Sequence, residues 1–136
     1  VVMKMVSRHC GTIPVIDQNN KLVGVVALRD VLLPLYPSYT ELLEDGIRGR
    51  DFVSMEADYS GVMTKKVSEI MTPRPMSASP NDPILKAASI MGLKNLRRIP
   101  VTDEHNHLVG ILSIGDINRA LFFASNIQRQ GEAANG

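Results

Sequence analysis

Tryptophan is absent from this 136-residue chain, and three tyrosines and three phenylalanines are its only aromatics. Platforms for stacking nucleobases are correspondingly few. Fifteen basic residues against fourteen acidic ones leave a formal charge of +1, so no electrostatic footprint for a polyanion is present either. A nucleic-acid partner is not expected. The single cysteine, Cys10, excludes an internal disulfide and suits a reducing compartment, for which the cytoplasm is the natural expectation. No apolar run approaches the roughly 18 residues that a spanning helix needs, and no secretory leader is visible, so no membrane role is expected of these residues. With 44% hydrophobic residues, the chain can fill one compact domain or two half-domains sharing a core.

A stretch written twice fills the middle of that composition. Residues 13–30 read IPVIDQNNKLVGVVALRD and residues 99–116 read IPVTDEHNHLVGILSIGD, nine of eighteen columns being identical without a gap. The identities are Ile13/Ile99, Pro14/Pro100, Val15/Val101, Asp17/Asp103, Asn20/Asn106, Leu22/Leu108, Val23/Val109, Gly24/Gly110 and Asp30/Asp116. An internal repeat sets the architecture before any local reading does. Each copy ends in a glycine followed six residues later by an aspartate, a spacing that packing alone does not obviously require.

Alternation predicts strands over 12–17 and 22–28, and again over 98–103 and 108–114, joined by polar turns of hairpin length. Helices are expected to open at the aspartates, over 30–35 (cut by Pro34 and Pro37) and 116–123. Another helix should precede each first strand. In the second copy Asn81-Asp82-Pro83 supplies a start and Ile84, Ala87, Ala88 and Met91 the apolar stripe; in the first only Val1, Val2, Met5 and Val6 remain. Upstream of the second copy, 67–78 reads as a helical turn ending at Thr72-Pro73, then an extended piece. Its first-copy counterpart would precede Val1, so the first repeat is expected to lack about twenty residues. Between the copies, Ser38 and Glu41 have capping-box spacing with Gly46 as the stop, and a second helical stretch is expected over 55–63. The polar, glycine-containing end is expected to be disordered.

This plan, together with the VSEIMTPRPMSASPNDPILKAASIM run, resembles a tandem pair of cystathionine-β-synthase (CBS) domains. The resemblance covers about residues 1–35 and 67–124. It implies an α/β fold of two pseudo-symmetric repeats, each a small sheet packed with helices, around shared inter-repeat clefts. The domain plan is then a first repeat at 1–35 with its N-terminal part missing, a partly helical connecting insert at 36–66, a second repeat at 67–124 and a tail at 125–136.

The resemblance further implies two clefts that hold adenosine-containing ligands such as AMP, ATP or S-adenosylmethionine, each lined from both repeats. One would use Val25, Ala27 and Asp30 with Pro75, Met76, Arg97, Arg98, Ile99 and Pro100. The second would use Ile111, Ser113 and Asp116 with Thr12, Ile13 and Pro14. These residue types suit such a ligand, because a carboxylate can accept two hydrogen bonds from a ribose diol and guanidinium groups match phosphate oxygens. The family carries Ser or Thr three residues before the aspartate; Ser113 fits and Ala27 departs. Aspartate is also a good helix cap, and the two roles are compatible. Asp30's cleft has all its proposed wall, whereas Asp116's lacks an early strand and an arginine, which ranks the first ahead of the second.

Other signals carry less. His105 and His107 sit in a turn whose first-copy equivalent has no histidine, which disfavours a metal site. His9-Cys10 lacks an orienting third group for nucleophilic catalysis. No enzyme activity and no required cofactor are expected. The leading expectation is a regulatory module whose adenine-nucleotide ligand controls an unidentified partner domain or protein; the alternative is a structural dimerisation module with vestigial clefts. Apolar residues Val31, Leu32, Leu33, Leu35, Leu121, Phe122 and Phe123 suggest a homodimer.

Overall fold

Both copies of the duplicated stretch fold as a strand, a tight turn, a strand and a helix, and the helix before each copy ends by the same device. The computed structural model describes residues 1–46 and 50–135. The elements are α1 (Val2–Arg8), β1 (Thr12–Ile16), β2 (Leu22–Ala27), α2 (Leu28–Leu32) with a 3₁₀ turn (Leu33–Leu35), α3 (Tyr39–Asp45), α4 (Phe52–Glu56), α5 (Tyr59–Met63), α6 (Val67–Ile70), β3 (Thr72–Pro73), α7 (Ile84–Leu93), β4 (Arg98–Thr102), β5 (Leu108–Ser113) and α8 (Ile114–Asn135). They form two units, Val1–Val15 with Val23–Arg74, and Ile16–Leu22 with Pro75–Gly136. Residues 67–74, read from sequence as the start of the second repeat, thus pack with the first unit.

In the first unit the sheet runs in the order β1-β2-β3. Its core gathers Val2 and Met5 of α1, Val26 of β2, Val31 of α2 and Val62 of α5. Alternation along β2 explains Val26: Gly24 and Val26 face the interior while Val23, Val25 and Ala27 are half-buried. β3 joins β2 antiparallel, with Gly24 opposite Pro73 and Val25 opposite Thr72. That approach requires glycine. A Cβ at Gly24 would collide with Met71 Sδ and stand 3.2 Å from the carbonyl oxygen of Thr72.

In the second unit β4 and β5 form an antiparallel pair, Arg98 opposite Ser113 and Val101 opposite Gly110, with an irregularity at Val101/Thr102. Ala78, Ala87, Met91, Ile99 and Ile117 make the core. Each large aliphatic side chain so buried contributes about 1.5–3 kcal/mol. Met5 and Met91, and Val31 and Ile117, are repeat equivalents in the two cores. α1 and α7 also end alike. His9 and Asn95 take left-handed conformations (φ 50° and 53°), with Cys10 N–H donating to Met5 O at 3.1 Å and Leu96 N–H to Met91 O at 2.8 Å, the pattern of a Schellman cap.

Several expectations need correction. The helices after the repeats begin at Leu28 and Ile114, two residues before the aspartates, because the cap lies at positions 27 and 113. Asp82 does not cap α7; it accepts from Ser79 N–H at 2.9 Å and Lys86 Nζ at 3.2 Å. The insert's stretch 55–63 is two short helices, α4 and α5, while α3 starts and stops at Ser38 and Gly46 as its capping box predicts. Residues 47–49 of the insert and Gly136 of the tail lie outside the described residues. The tail expected to be disordered continues α8 through Asn135. Val31 is a core residue and Leu35 packs against that core, so neither belongs to an exposed apolar face.

Candidate functional site

The duplicated aspartates occupy the third position of their helices and reach back to the residue that begins each. Asp30 Oδ2 accepts from Ala27 N–H at 2.8 Å. Asp116 Oδ2 accepts from Ser113 N–H at 2.9 Å, and Ser113 Oγ returns the bond by accepting from Asp116 N–H at 3.0 Å. The second copy thus has a complete capping box, and the first has half of one, since Ala27 has no side-chain acceptor. The hydroxyl three residues before the aspartate therefore has a folding role whatever else it does.

The other oxygen of each carboxylate meets a second side chain. Thr72 Oγ1 stands 3.5 Å from Asp30 Oδ1, a long contact. Arg119 Nη1 lies 3.3 Å from Asp116 Oδ1 in an exposed pair. The Ser113 backbone and hydroxyl bonds, followed by the Arg119 charge, hold the Asp116 carboxyl below the usual carboxylate range.

The named site residues divide between the units. Thr12, Ile13, Pro14, Val25, Ala27 and Asp30 belong to the first, and Pro75, Met76, Arg97, Arg98, Ile99, Pro100, Ile111, Ser113 and Asp116 to the second. Within the second, Arg98 lies directly across the strand pair from Ser113, on the same face. Arg97 and Met76 are exposed, whereas Ile99 and Pro100 are buried, so the Ile99 side chain serves the core. Thr72 and Arg119, the partners of the two carboxylates, carried no signal of their own in the sequence.

Two further pairs of repeat identities have roles in the turns. Asp17 Oδ1 accepts from Asn19 N–H and Lys21 N–H at 2.8 and 3.0 Å, and Asp103 Oδ1 accepts from His105 N–H and His107 N–H at 2.9 and 2.8 Å. His107 Nδ1 is also 3.1 Å from Asp103 Oδ2. Asn20 and Asn106 clasp the two turns together reciprocally within the second unit. Leu22 N–H donates to Asn106 O at 3.0 Å and Leu108 N–H to Asn20 O at 3.1 Å. Asn106 Nδ2 reaches Leu22 O at 3.0 Å and Asn20 Nδ2 reaches Leu108 O at 3.4 Å.

The CBS domain model matches residues 1–35 and 67–122. The chain belongs to the CBS domain family. It is 31% identical over 134 residues to the chloroplastic CBS domain-containing protein CBSX2 of Arabidopsis thaliana, covering 94% of this chain and 55% of that protein. The crystal structure of CBSX2 in complex with AMP matches at a TM-score of 0.66, covering 91% of this chain and 80% of the solved one. An uncharacterised protein of Methanocaldococcus jannaschii is 29% identical over 122 residues, 79% of this chain and 71% of its own. The inosine-5'-monophosphate dehydrogenase of the same organism is 29% identical over 105 residues, only 16% of that enzyme's length. The chain thus spans about half the length of its plant relative, and CBS regions occur both in proteins named for that domain alone and within enzymes. Among the described residues no helix is long and apolar enough to cross a membrane, and no group of metal-ligating side chains converges.

Proposed function

We propose that this CBS pair is a ligand-sensing regulatory module that binds an adenine nucleotide, AMP or ATP before S-adenosylmethionine, with Asp30 as the carboxylate that holds the ribose. The observation that carries this reading is the bound AMP of CBSX2, a relative that matches nearly the whole chain. Local chemistry agrees with it. Asp30 meets its capping duty with Oδ2, and among the described residues Oδ1 is opposed by a threonine hydroxyl at 3.5 Å, so a diol can displace that contact at little cost. Asp116 is the second candidate, its free oxygen already engaged by Arg119. Arg97 and Arg98 are the proposed phosphate partners, and we propose no catalytic step. Control of a partner rests on the ligand binding one conformation better than another.

A second reading, a dimerisation module with vestigial sites, draws on the same geometry: both carboxylates have caps to make, and Ala27 offers a ligand no hydroxyl. Calorimetric titration with AMP, ATP, S-adenosylmethionine and adenosine separates the two. The proposal expects AMP or ATP to bind in the micromolar range, about −8 kcal/mol, and adenosine more weakly. Binding of none of the four supports the second reading.

A further inference from the structure

The two repeats bring a side-chain hydroxyl to their aspartates by different routes. In the second copy it comes from the start of the helix itself: Ser113, three residues before Asp116, accepts from Asp116 N–H at 3.0 Å. The first copy has Ala27 at that position, with no hydroxyl to offer. A hydroxyl reaches Asp30 from another strand instead. Thr72 Oγ1 stands 3.5 Å from Asp30 Oδ1, and both residues belong to the first unit. Register explains the placement. Thr72 lies opposite Val25 in the β2–β3 pair, so its side chain shares the face of Val25 and Ala27, diagonally placed from the alanine. The segment is anchored on either side of Thr72, by Met71 lying over Gly24 and by Arg74 N–H donating to Val23 O at 3.3 Å. Thr72 is exposed and Asp30 half-buried, so hydroxyl and carboxylate meet solvent side by side.

We propose that Thr72 is a specificity-determining residue of the Asp30 site: its hydroxyl and the Asp30 carboxylate together read the two neighbouring hydroxyls of a ribose, which selects ribonucleotides over their deoxy forms. The assignment rests on the adenine-nucleotide reading above and adds the group that discriminates the sugar. The ionised carboxylate only accepts hydrogen bonds, whereas Thr72 Oγ1 both donates and accepts. At 3.5 Å their contact is well beyond the roughly 2.5–2.7 Å of a strong hydroxyl–carboxylate bond, so the threonine hydroxyl can turn to a sugar hydroxyl placed beside it. One ribose hydroxyl then donates to Asp30 Oδ1 and its neighbour bonds Thr72 Oγ1. A site built to bond a hydroxyl rejects the analogue that lacks it, because a protein polar group is left unpaired.

The test is calorimetry of AMP, 2′-deoxy-AMP and 3′-deoxy-AMP with the unmodified protein, Thr72→Val and Thr72→Ser, with thermal melts to show that each variant is folded. Valine keeps the branched shape of threonine and loses the hydroxyl; serine keeps the hydroxyl. The unmodified protein should bind AMP more tightly than either deoxy form. Thr72→Val should weaken AMP by about threefold to tenfold, and Thr72→Ser should stay close to the unmodified protein. For the deoxy form that lacks the hydroxyl read by Thr72, the valine variant should bind as the unmodified protein does. The assignment is overturned if serine fails to preserve AMP affinity, or if valine weakens both deoxy forms as much as AMP. AMP binding that is indifferent to Thr72→Val overturns the assignment alone, whereas an unmodified protein that binds no AMP overturns the nucleotide reading with it.

Discussion

Gly24 and Gly110 are the same column of the repeat, yet their neighbourhoods make opposite demands. Adding a methyl group at Gly24 forces Met71 aside and presses on the Thr72 carbonyl, so Gly24→Ala should destabilise the protein by about 1–3 kcal/mol. At Gly110 the methyl meets nothing, and Ala should be neutral or stabilising by up to about 1 kcal/mol. Urea melts of the two single variants check the contrast; equal losses would refute it. The aspartate six residues on is a capping residue in both copies, so helix capping supplies a structural reason for its recurrence. Asp17/Asp103 and Asn20/Asn106 likewise repeat because the turns need them. Identity between repeats therefore reports folding chemistry first, and any ligand role proposed for Asp30 or Asp116 is shared with capping.

Capping boxes and turns also give these elements their pH dependence. Asp116 has its pKa lowered in the folded chain, by Ser113 before Arg119. Its contribution to stability is thus complete above the unfolded value of about 3.9 and is lost as pH falls through the lower folded value. Asp82 and Asp103 are depressed in the same way, chiefly by the backbones of Ser79 and His107. Asp116→Asn should lose less stability than the unmodified protein as pH is lowered from about 6 to about 2 in thermal melts, the range that spans both values; an unchanged difference would contradict the assignment. Both hairpins and α7 were legible in the sequence, because alternation and the apolar stripe are local signals. The starts of α2 and α8 were misplaced because capping from the third helical position looks in sequence like capping from the first. The reach of α8 to Asn135 was missed because composition at 125–136 argued for disorder, and the reciprocal Asn20/Asn106 clasp was illegible because it joins residues 84 to 88 positions apart.

At the scale of the whole molecule, apolar surface remains where helices meet solvent. Leu28, Leu32 and Leu33 near the first repeat's end are exposed, as are Leu121, Phe122, Phe123 and Ile127 along α8. Phe122 and Phe123 touch edge to face with centroids 5.7 Å apart. Such surface marks an interface, and we expect a homodimer. Light scattering at tens of micromolar should return twice the 14.9 kDa chain mass, with Phe122→Asp shifting the protein to monomer; a monomeric unmodified protein would contradict it. The candidate ligand residues come from the family resemblance alone, since neither composition nor periodicity identifies an adenosine site.

The most direct test of the central claim, that Asp30 holds the nucleotide, is AMP calorimetry on Asp30→Asn beside Asp116→Asn. Asparagine keeps an oxygen for each cap while removing the charge, so folding and binding are separated. The account predicts that Asp30→Asn weakens AMP by about tenfold or more, with Asp116→Asn close to the unmodified protein. Loss of binding in Asp116→Asn with Asp30→Asn unaffected would contradict it.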